Sequence, residues 1–275
     1  MKRSNQAVTQ KNANDTLASA LYVGSLEKGF RVLAAFSEDF PSLGVTEIAV
    51  RTGLDKSAAQ RFSNTLHQLG FLEKDQTTRR YRPARRLMEL SFTYLRHSAL
   101  AAVAMPRLIE AGTVYRTTVN LAEWVDTSMI YTIRIPNQQA AYVSTVPGRQ
   151  VPTFCSSSGL AIMSHLGAGE ISSILERSDL IKHTPSTVIE PDKILKVIAR
   201  TRQQGFAMTN QQLMAREIAI SAAVVDFRGR PIAAVQIPVS TTTWKLSDAR
   251  QKLGPLAVKT AAAISGALIS DGQEY

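Results

Sequence analysis

Residues 55–69, DKSAAQRFSNTLHQL, carry two faces of unlike chemistry at helical spacing, and this restricts the chain more than any other stretch. Ala59, Phe62, Leu66 and Leu69 recur at three- and four-residue steps, which lines them along one side of a helix. Ser57, Gln60, Arg61, Asn64 and Gln68 fall on the other side. The apolar stripe needs neighbours to bury it. The polar side carries little acid and offers amides, hydroxyls and a guanidinium, the groups that hydrogen-bond base edges in a major groove.

The flanking sequence supplies those neighbours. Asp55 suits the N-cap of this helix and Gly70 its end. VTEIAVRT forms a shorter helix before it, closed by Gly53, with Glu47 placed to reach back to the backbone of Gly44. SLEKGFRVLAAFS, residues 25–37, places Leu26, Phe30, Leu33 and Ala34 at helical spacing with Ser25 as cap, and Pro41 and Gly44 break the pattern after it. FLEKD and RRYRP around QTT predict a two-stranded hairpin bearing Lys74, Arg79, Arg80 and Arg82. Helices followed by a cationic hairpin describe a winged helix-turn-helix, whose wing grips phosphate or enters a minor groove.

Charge agrees with that geometry. The formal net charge is +10, and residues 49–86 hold nine basic against three acidic side chains. Clustered cations favour a polyanion by releasing its counterions, although a solvated basic face has the same composition. The candidate DNA contacts are Lys56, Ser57, Gln60, Arg61 and Asn64 on the helix, with Arg79, Arg80 and Arg82 on the wing. Gln60 or Asn64 suits adenine, and Arg61 suits guanine or a phosphate.

Residues 1–22 read as a polar arm, with Lys2, Arg3 and Lys11 able to touch phosphates. They lack the apolar core of a secretory signal. No run approaches about 18 apolar residues, so no membrane span is expected. The lone Cys155 excludes a disulfide framework and fits a reducing compartment, so a cytoplasmic protein is expected.

Residues 84–103 form an amphipathic pattern through Leu87, Leu90, Tyr94 and Leu95, read either as a dimer linker or as an ordinary core helix. Beyond it the texture changes. A helix over 105–118 precedes strands NLAEWV, MIYTIRIP and AAYVSTV, then a helix from Ser156, helices near 169–177 and 191–204, strands IAISAAVVD and PIAAVQIPV, and a helix over 247–269. Strands and helices mix without strict alternation, which predicts an α+β class with an antiparallel sheet. The expected division is an arm 1–22, a winged helix-turn-helix 23–84, a linker helix 85–103 and a ligand-binding domain 104–275.

Catalytic readings fare poorly. His67, His97, His165 and His183 have no metal-ligand spacing with Cys155 or a carboxylate. A nucleophilic Cys155 would need a base, and His165 lies ten residues on, about 15 Å along a helix. No enzyme activity, metal or cofactor is expected.

SLEKGFRVLAAF, TEIAVRTGLDKSAAQRFSNTLHQLGFLEKD and RRYRP, followed in order by NLAEWVDTSMIYTIRIP, VPTFCSSSGLAIMSHL, RQQGFAMTNQQL and AISAAVVDFRGRPIAAVQIPV, resemble the IclR family of regulators. The resemblance implies a winged-helix DNA-binding domain, a linker helix and a GAF-like effector domain. It also implies a homodimer or dimer of dimers on partly palindromic double-stranded DNA, controlled by a small organic acid. It places the backbone at Ser157 and Ser158, together with Thr209, Ala219 and Gln236, at the effector, with Ala140, Val143 and Val151 as apolar walls. The run CSSSG opens a helix whose N–H groups favour an anion, or its serines simply cap that helix. Three departures stand out: QTTR replaces a glycine-containing wing turn, Arg216 and Ala219 replace a glycine and a small polar residue, and Gln236 and Pro238 replace two pocket serines. The competing class is a GAF-like sensor or enzyme whose basic N-terminal domain binds a protein.

Overall fold

The computed structural model describes residues 21–137 and 146–270, and the chain divides into two compact units at Tyr94/Leu95. The arm and most of the AAYVSTV segment lie outside the described residues.

The first unit contains α1 (Gly24–Ala34), α2 (Val45–Thr52), α3 (Lys56–Gln68) and a hairpin of β1 (Leu72–Lys74) and β2 (Tyr81–Pro83). Its core joins Val32, Leu43, Ile48, Ala59, Leu72 and Tyr81. Phe62 and Leu66 pack at its margin as expected, but Leu69 is half exposed, and the wholly buried Ser63 takes the inward position instead. Asp55 caps α3 by accepting the Ala58 N–H at 2.8 Å. Glu47 accepts the Gly44 N–H at 2.6 Å, so half of a capping box forms around a residue with no side chain. Ser25 does not cap α1. The N-cap is Val23, without a side-chain bond, and the helix ends at Ala34, three residues before its expected end. Leu43 and Tyr81 exchange backbone hydrogen bonds at 2.9 and 2.8 Å, which tie the turn before α2 to the wing.

The expected helix over 84–103 is two helices, α4 (Leu87–His97) and α5 (Ala99–Val114). Ser98 separates them. Its Oγ accepts the Ala101 N–H at 3.1 Å and starts a new helix, which is anchored by buried Leu100, Ala104 and Leu108. The helix expected over 105–118 is thus the later part of α5, which ends at Val114 and holds Pro106 in its interior.

The second unit is built on an antiparallel sheet ordered β5-β4-β3-β8-β7-β6. Its strands are β3 (Val119–Val125), β4 (Ser128–Ile135), β5 (Gln150–Pro152), β6 (Ala207–Asn210), β7 (Glu217–Val225) and β8 (Pro231–Ser240). β5 and β6, three and four residues long, escape the sequence reading because so short a run has no measurable alternation. The helices are α6 (Ser157–Met163), α7 (Ala168–Arg177), α8 (Pro191–Gln204) and α9 (Gly254–Ser270), which continues from a π-helical turn at Ala249–Leu253.

Alternation along the central strands separates two faces. Val119, Leu121, Ile133, Ile218, Ile220, Val235 and Ile237 face α5 and α9 in one apolar cluster. Ala122, Tyr131, Ala207 and Ala234 face α6, α7 and α8 in another. The helix Leu246–Ser270 has the length and composition of a membrane span, yet Ala257, Ala261, Ile264 and Leu268 are buried in the first cluster, as in a core helix.

Gly159 fixes how closely α6 approaches the chain before it. A Cβ there would lie 2.1 Å from the Thr153 carbonyl oxygen, and backbone on both sides leaves no flexible group to yield. Gly159→Ala should therefore destabilise the second unit by about 3 kcal/mol and lower its thermal midpoint by roughly 6–12 °C, measured by calorimetry. A midpoint within 2 °C of the parent would refute this packing.

Candidate nucleic-acid interface and effector site

On α3, Lys56, Ser57, Gln60, Arg61 and Asn64 are all exposed, and the first turn contains no acid. The helix is held by Asp55 at its start. At its end Arg86 donates to the Leu69 carbonyl at 2.6 Å. The five candidates therefore project from a fixed rod.

The remaining arginines of the first unit divide by what they touch. Arg31 donates to the Thr52 carbonyl at 3.1 Å, and Arg51 donates to the Ala35 carbonyl while stacking 3.7 Å over Phe40. These cations brace helices. Arg80 belongs with them: its guanidinium donates to Ser42 Oγ at 3.2 Å and to the Ser42 carbonyl at 2.6 Å, and it pairs with Glu47 at 2.8 Å. Arg80 thus makes its contacts to Ser42 and Glu47 within the domain, with its side chain part exposed. Glu47 is correspondingly held below its ordinary pKa, first by the Gly44 N–H and then by Arg80.

Arg79 and Arg82 face outward on the wing, Arg82 in an exposed pair with Glu73 at 2.7 Å. Asp75 organises the turn by accepting the N–H groups of Thr77 and Thr78 at 2.9 and 2.7 Å. Arg79 adopts φ 59°, the left-handed region that favours glycine. Arg85 is a further exposed cation that the sequence reading passed over. It lies just before α4, away from the recognition pattern.

In the second unit the predicted effector residues converge. Thr209 pairs with Ala219, and Ala219 with Pro238, across β6, β7 and β8. One step along, Ser221 pairs with Gln236, Gln236 with Asn120, and Asn120 with Arg134. These residues form a polar row on the α6 face of the sheet. Ser157 Oγ meets Ser221 Oγ at 2.8 Å, and Asn120 Nδ2 donates to Gln236 Oε1 at 2.5 Å. Val151 is buried on β5 opposite Met129 of β4, whereas Ala140 and Val143 lie outside the described residues.

The serines of CSSSG take separate roles. Ser156 caps α6 by accepting the Gly159 N–H at 3.0 Å, Ser157 binds the sheet, and Ser158 hydrogen-bonds Tyr131. At seven residues α6 is a short dipole, so side chains of the sheet dominate the polarity. Asn120 and Ser221 were missed by the sequence reading. Their signal was present as single polar residues at inward positions of apolar strands.

Charge gathers at one end of this face. Burial pushes the Glu217 carboxyl up to about 7, against the opposing pull of Arg149 and then Arg134. Burial raises the Tyr131 hydroxyl, with Glu217 adding to the effect. Arg149 also donates to Met214 Sδ at 3.4 Å. Arg216, just before β7, sits at φ 63°, again in the left-handed region that favours glycine.

A separate surface cleft of about 500 Å³ is lined by Trp124, Asp126, Glu170, Ser173, Arg177 and Arg230, none of them predicted site residues. Trp124 forms part of its wall, whereas Tyr131 is buried. Cys155 is buried, which pushes its thiol up to about 12, so little nucleophilic thiolate exists at neutral pH. Among the described residues no three His, Cys, Asp or Glu side chains converge on a metal position.

Family models match both units: the IclR helix-turn-helix domain over residues 25–76 and the bacterial transcriptional regulator IclR C-terminal domain over 92–266. The chain is 25% identical over 236 residues to the Pca regulon regulatory protein of Pseudomonas putida, covering 86% of this chain and 80% of that protein. It is 25% identical over 266 residues to the p-hydroxybenzoate hydroxylase transcriptional activator of Acinetobacter baylyi, covering 95% and 97%. The fold matches that of an IclR homolog from Microbacterium hydrocarbonoxydans complexed with 4-hydroxybenzoate, at TM-score 0.70 and 23% identity over 90% and 99% of the two chains.

The Glu217 environment yields a pH dependence. Its carboxyl binds a proton more tightly folded than unfolded, since about 7 exceeds the ordinary 4.5. Its contribution therefore falls as pH rises from about 4.5 to about 7 and is flat above. Glu217→Gln should raise the thermal midpoint relative to the parent at pH 8 and leave it level at pH 4. A difference that does not change with pH would contradict the burial of this carboxyl.

Proposed function

Because the chain belongs to the IclR family of bacterial transcriptional regulators, we propose that it seats α3 in the major groove of a partly palindromic operator and answers to a small organic acid held on the α6 face of its sheet. The observation that carries the first part is the exposed, acid-free outer side of α3, fixed at both ends, beside a wing that presents Arg79 and Arg82. Gln60 or Asn64 reads adenine, Arg61 reads guanine or holds a phosphate, Lys56 and Ser57 support the helix start, and the wing cations hold backbone.

The effector reading draws on the buried polar row with cations at its end. Arg134 and Arg149 against Glu217 leave a local positive excess that suits a carboxylate, and Val151 and neighbouring apolar side chains suit a hydrocarbon or aromatic body. The Microbacterium homolog was crystallised with such an acid. The GAF-like enzyme reading has no comparable support, since Cys155 is inert.

Dimerisation follows from α4. Met88, Leu90, Phe92 and Tyr94 are each more than half exposed, and no residue of the helix is buried. A helix apolar on several sides needs a cover, and a second copy supplies one while presenting two recognition helices to two half-sites. A dimer of dimers would extend the same logic.

Fluorescence anisotropy with duplex DNA from beside the gene tests the reading. Arg79→Ala should weaken binding to all sequences and reduce the salt slope by about one. Asn64→Ala or Gln60→Ala should relax preference at one base pair by about 1–3 kcal/mol. Arg80→Ala should instead lower the thermal midpoint of the first unit. Absence of duplex binding at low ionic strength, with and without acids, would overturn the proposal. Phe92→Glu together with Met88→Glu should shift the sedimenting species toward monomer. An unchanged dimer would exclude α4 as the interface.

A further inference from the structure

Positive charge in the second unit is concentrated rather than spread. Residues 191–204 and 245–259 together hold eight basic and two acidic side chains, against ten and eleven in the rest of 95–275. The two segments meet. Arg250, in the π-helical turn, donates to Gln204 Oε1 of α8 at 2.9 Å, and Val258 of α9 lies beside Gly205. Some of these cations serve the fold: Arg202 donates to the Ser164 and Leu166 carbonyls, each at 2.7 Å, and Lys193 pairs with Glu190 at 3.1 Å. Lys196 and Arg200 differ from them. Both are exposed, and among the described residues neither makes an ion pair or a hydrogen bond. Lys196, Arg200 and Gln204 recur at four-residue steps, so they line one flank of α8 that leads to Arg250. Arg250 stands close enough to Arg200 for the two cations to repel. Burial and then Arg200 hold its guanidinium below the ordinary pKa. The free protein thus keeps like charges together without an ion pair to either, and an anion would relieve that repulsion.

We propose that this flank of the second unit, built from Lys196, Arg200 and Arg250, binds the phosphate backbone of duplex DNA as a contact surface additional to α3. The proposal rests on the duplex-binding reading above and extends it to the unit that carries no recognition helix. From Lys193 to Gln204 the flank runs about 16 Å along α8, which spans about five phosphates of one strand. A linear anion of regular charge therefore meets several cations at once, whereas a single small anion meets one or two. A protein partner would need anchors: interfaces between proteins centre on buried aromatic and aliphatic side chains and are poor in lysine. Lys196, Arg200, Gln204 and Arg250 offer no apolar anchor, and the cleft beside Trp124 is lined by other residues. Long cations without base-reading amides at their tips hold backbone and do not select sequence. The surface thus adds affinity and salt dependence, and leaves the choice of operator to α3.

Titration of the full chain with duplex DNA from beside the gene, over a series of salt concentrations, tests this. Lys196→Gln combined with Arg200→Gln should lower the salt slope by about two, so that a fourfold rise in salt costs the variant about tenfold less affinity than it costs the parent. Its preference among sequences should be that of the parent. Lys182→Gln combined with Arg228→Gln removes the same charge from exposed positions elsewhere in the unit and should keep the parent slope. An unchanged slope in the first variant, or an equal fall in the second, would overturn the proposal while leaving recognition by α3 standing. So would an unchanged slope accompanied by lost binding to polyglutamate, which would assign the flank to an acidic protein. Absence of duplex binding by the parent at low salt would overturn both readings. If the paired substitution fails to fold, Lys196→Gln alone decides, with an expected fall in slope of about one.

Discussion

The second unit depends on a division of labour between the two faces of one sheet. Ile220, Val235 and Leu121 turn toward α5 and α9 and join one large apolar cluster. The residues between them turn toward α6, where small side chains such as Ala122, Ala207 and Ala234 leave room for Ser221, Asn120 and Gln236. Hydrophobic burial on the first face supplies stability, at about 1.5–3 kcal/mol for each large side chain. That surplus lets the second face carry polar groups whose burial costs energy. Gly159 belongs to the same arrangement, because it lets α6 pack directly on the Thr153 backbone in the helix from which Ser157 meets Ser221.

The first unit solves a different problem, that of holding a small three-helix core while presenting cations outward. It spends some arginines on its own interior contacts and leaves others on the surface. Arg31, Arg51, Arg80 and Arg86 each donate to a backbone carbonyl. Lys56, Arg61 and Arg79 stand exposed. A net charge summed over the domain cannot distinguish these two groups, and positions in the chain distinguish them only partly. Arg79 and Arg80 are adjacent, yet Arg79 stands exposed at a left-handed turn position while Arg80 reaches back to Ser42 and Glu47.

That contrast marks where the sequence was legible. The two faces of α3, its Asp55 cap, the Glu47 reach to Gly44, the strands β3, β4, β7 and β8 and the helices α7 and α8 could all be read, because each repeats a pattern over many residues or pairs a side chain with a nearby backbone group. The break at Ser98 was hidden by apolar residues that continue on both sides of it. The inward turn of Ser63 in place of Leu69 depends on the angle at which α3 meets its neighbours, which no periodicity encodes. Of the effector face, Thr209, Ala219 and Gln236 entered through the resemblance. Asn120 and Glu217 required knowing which strands lie side by side.

The sheet ends in strands of only three and four residues, β5 and β6. A border strand this short gives an incoming strand little to align with. Copies of this protein that meet in a crowded cell are therefore discouraged from zipping edge to edge into open-ended ribbons.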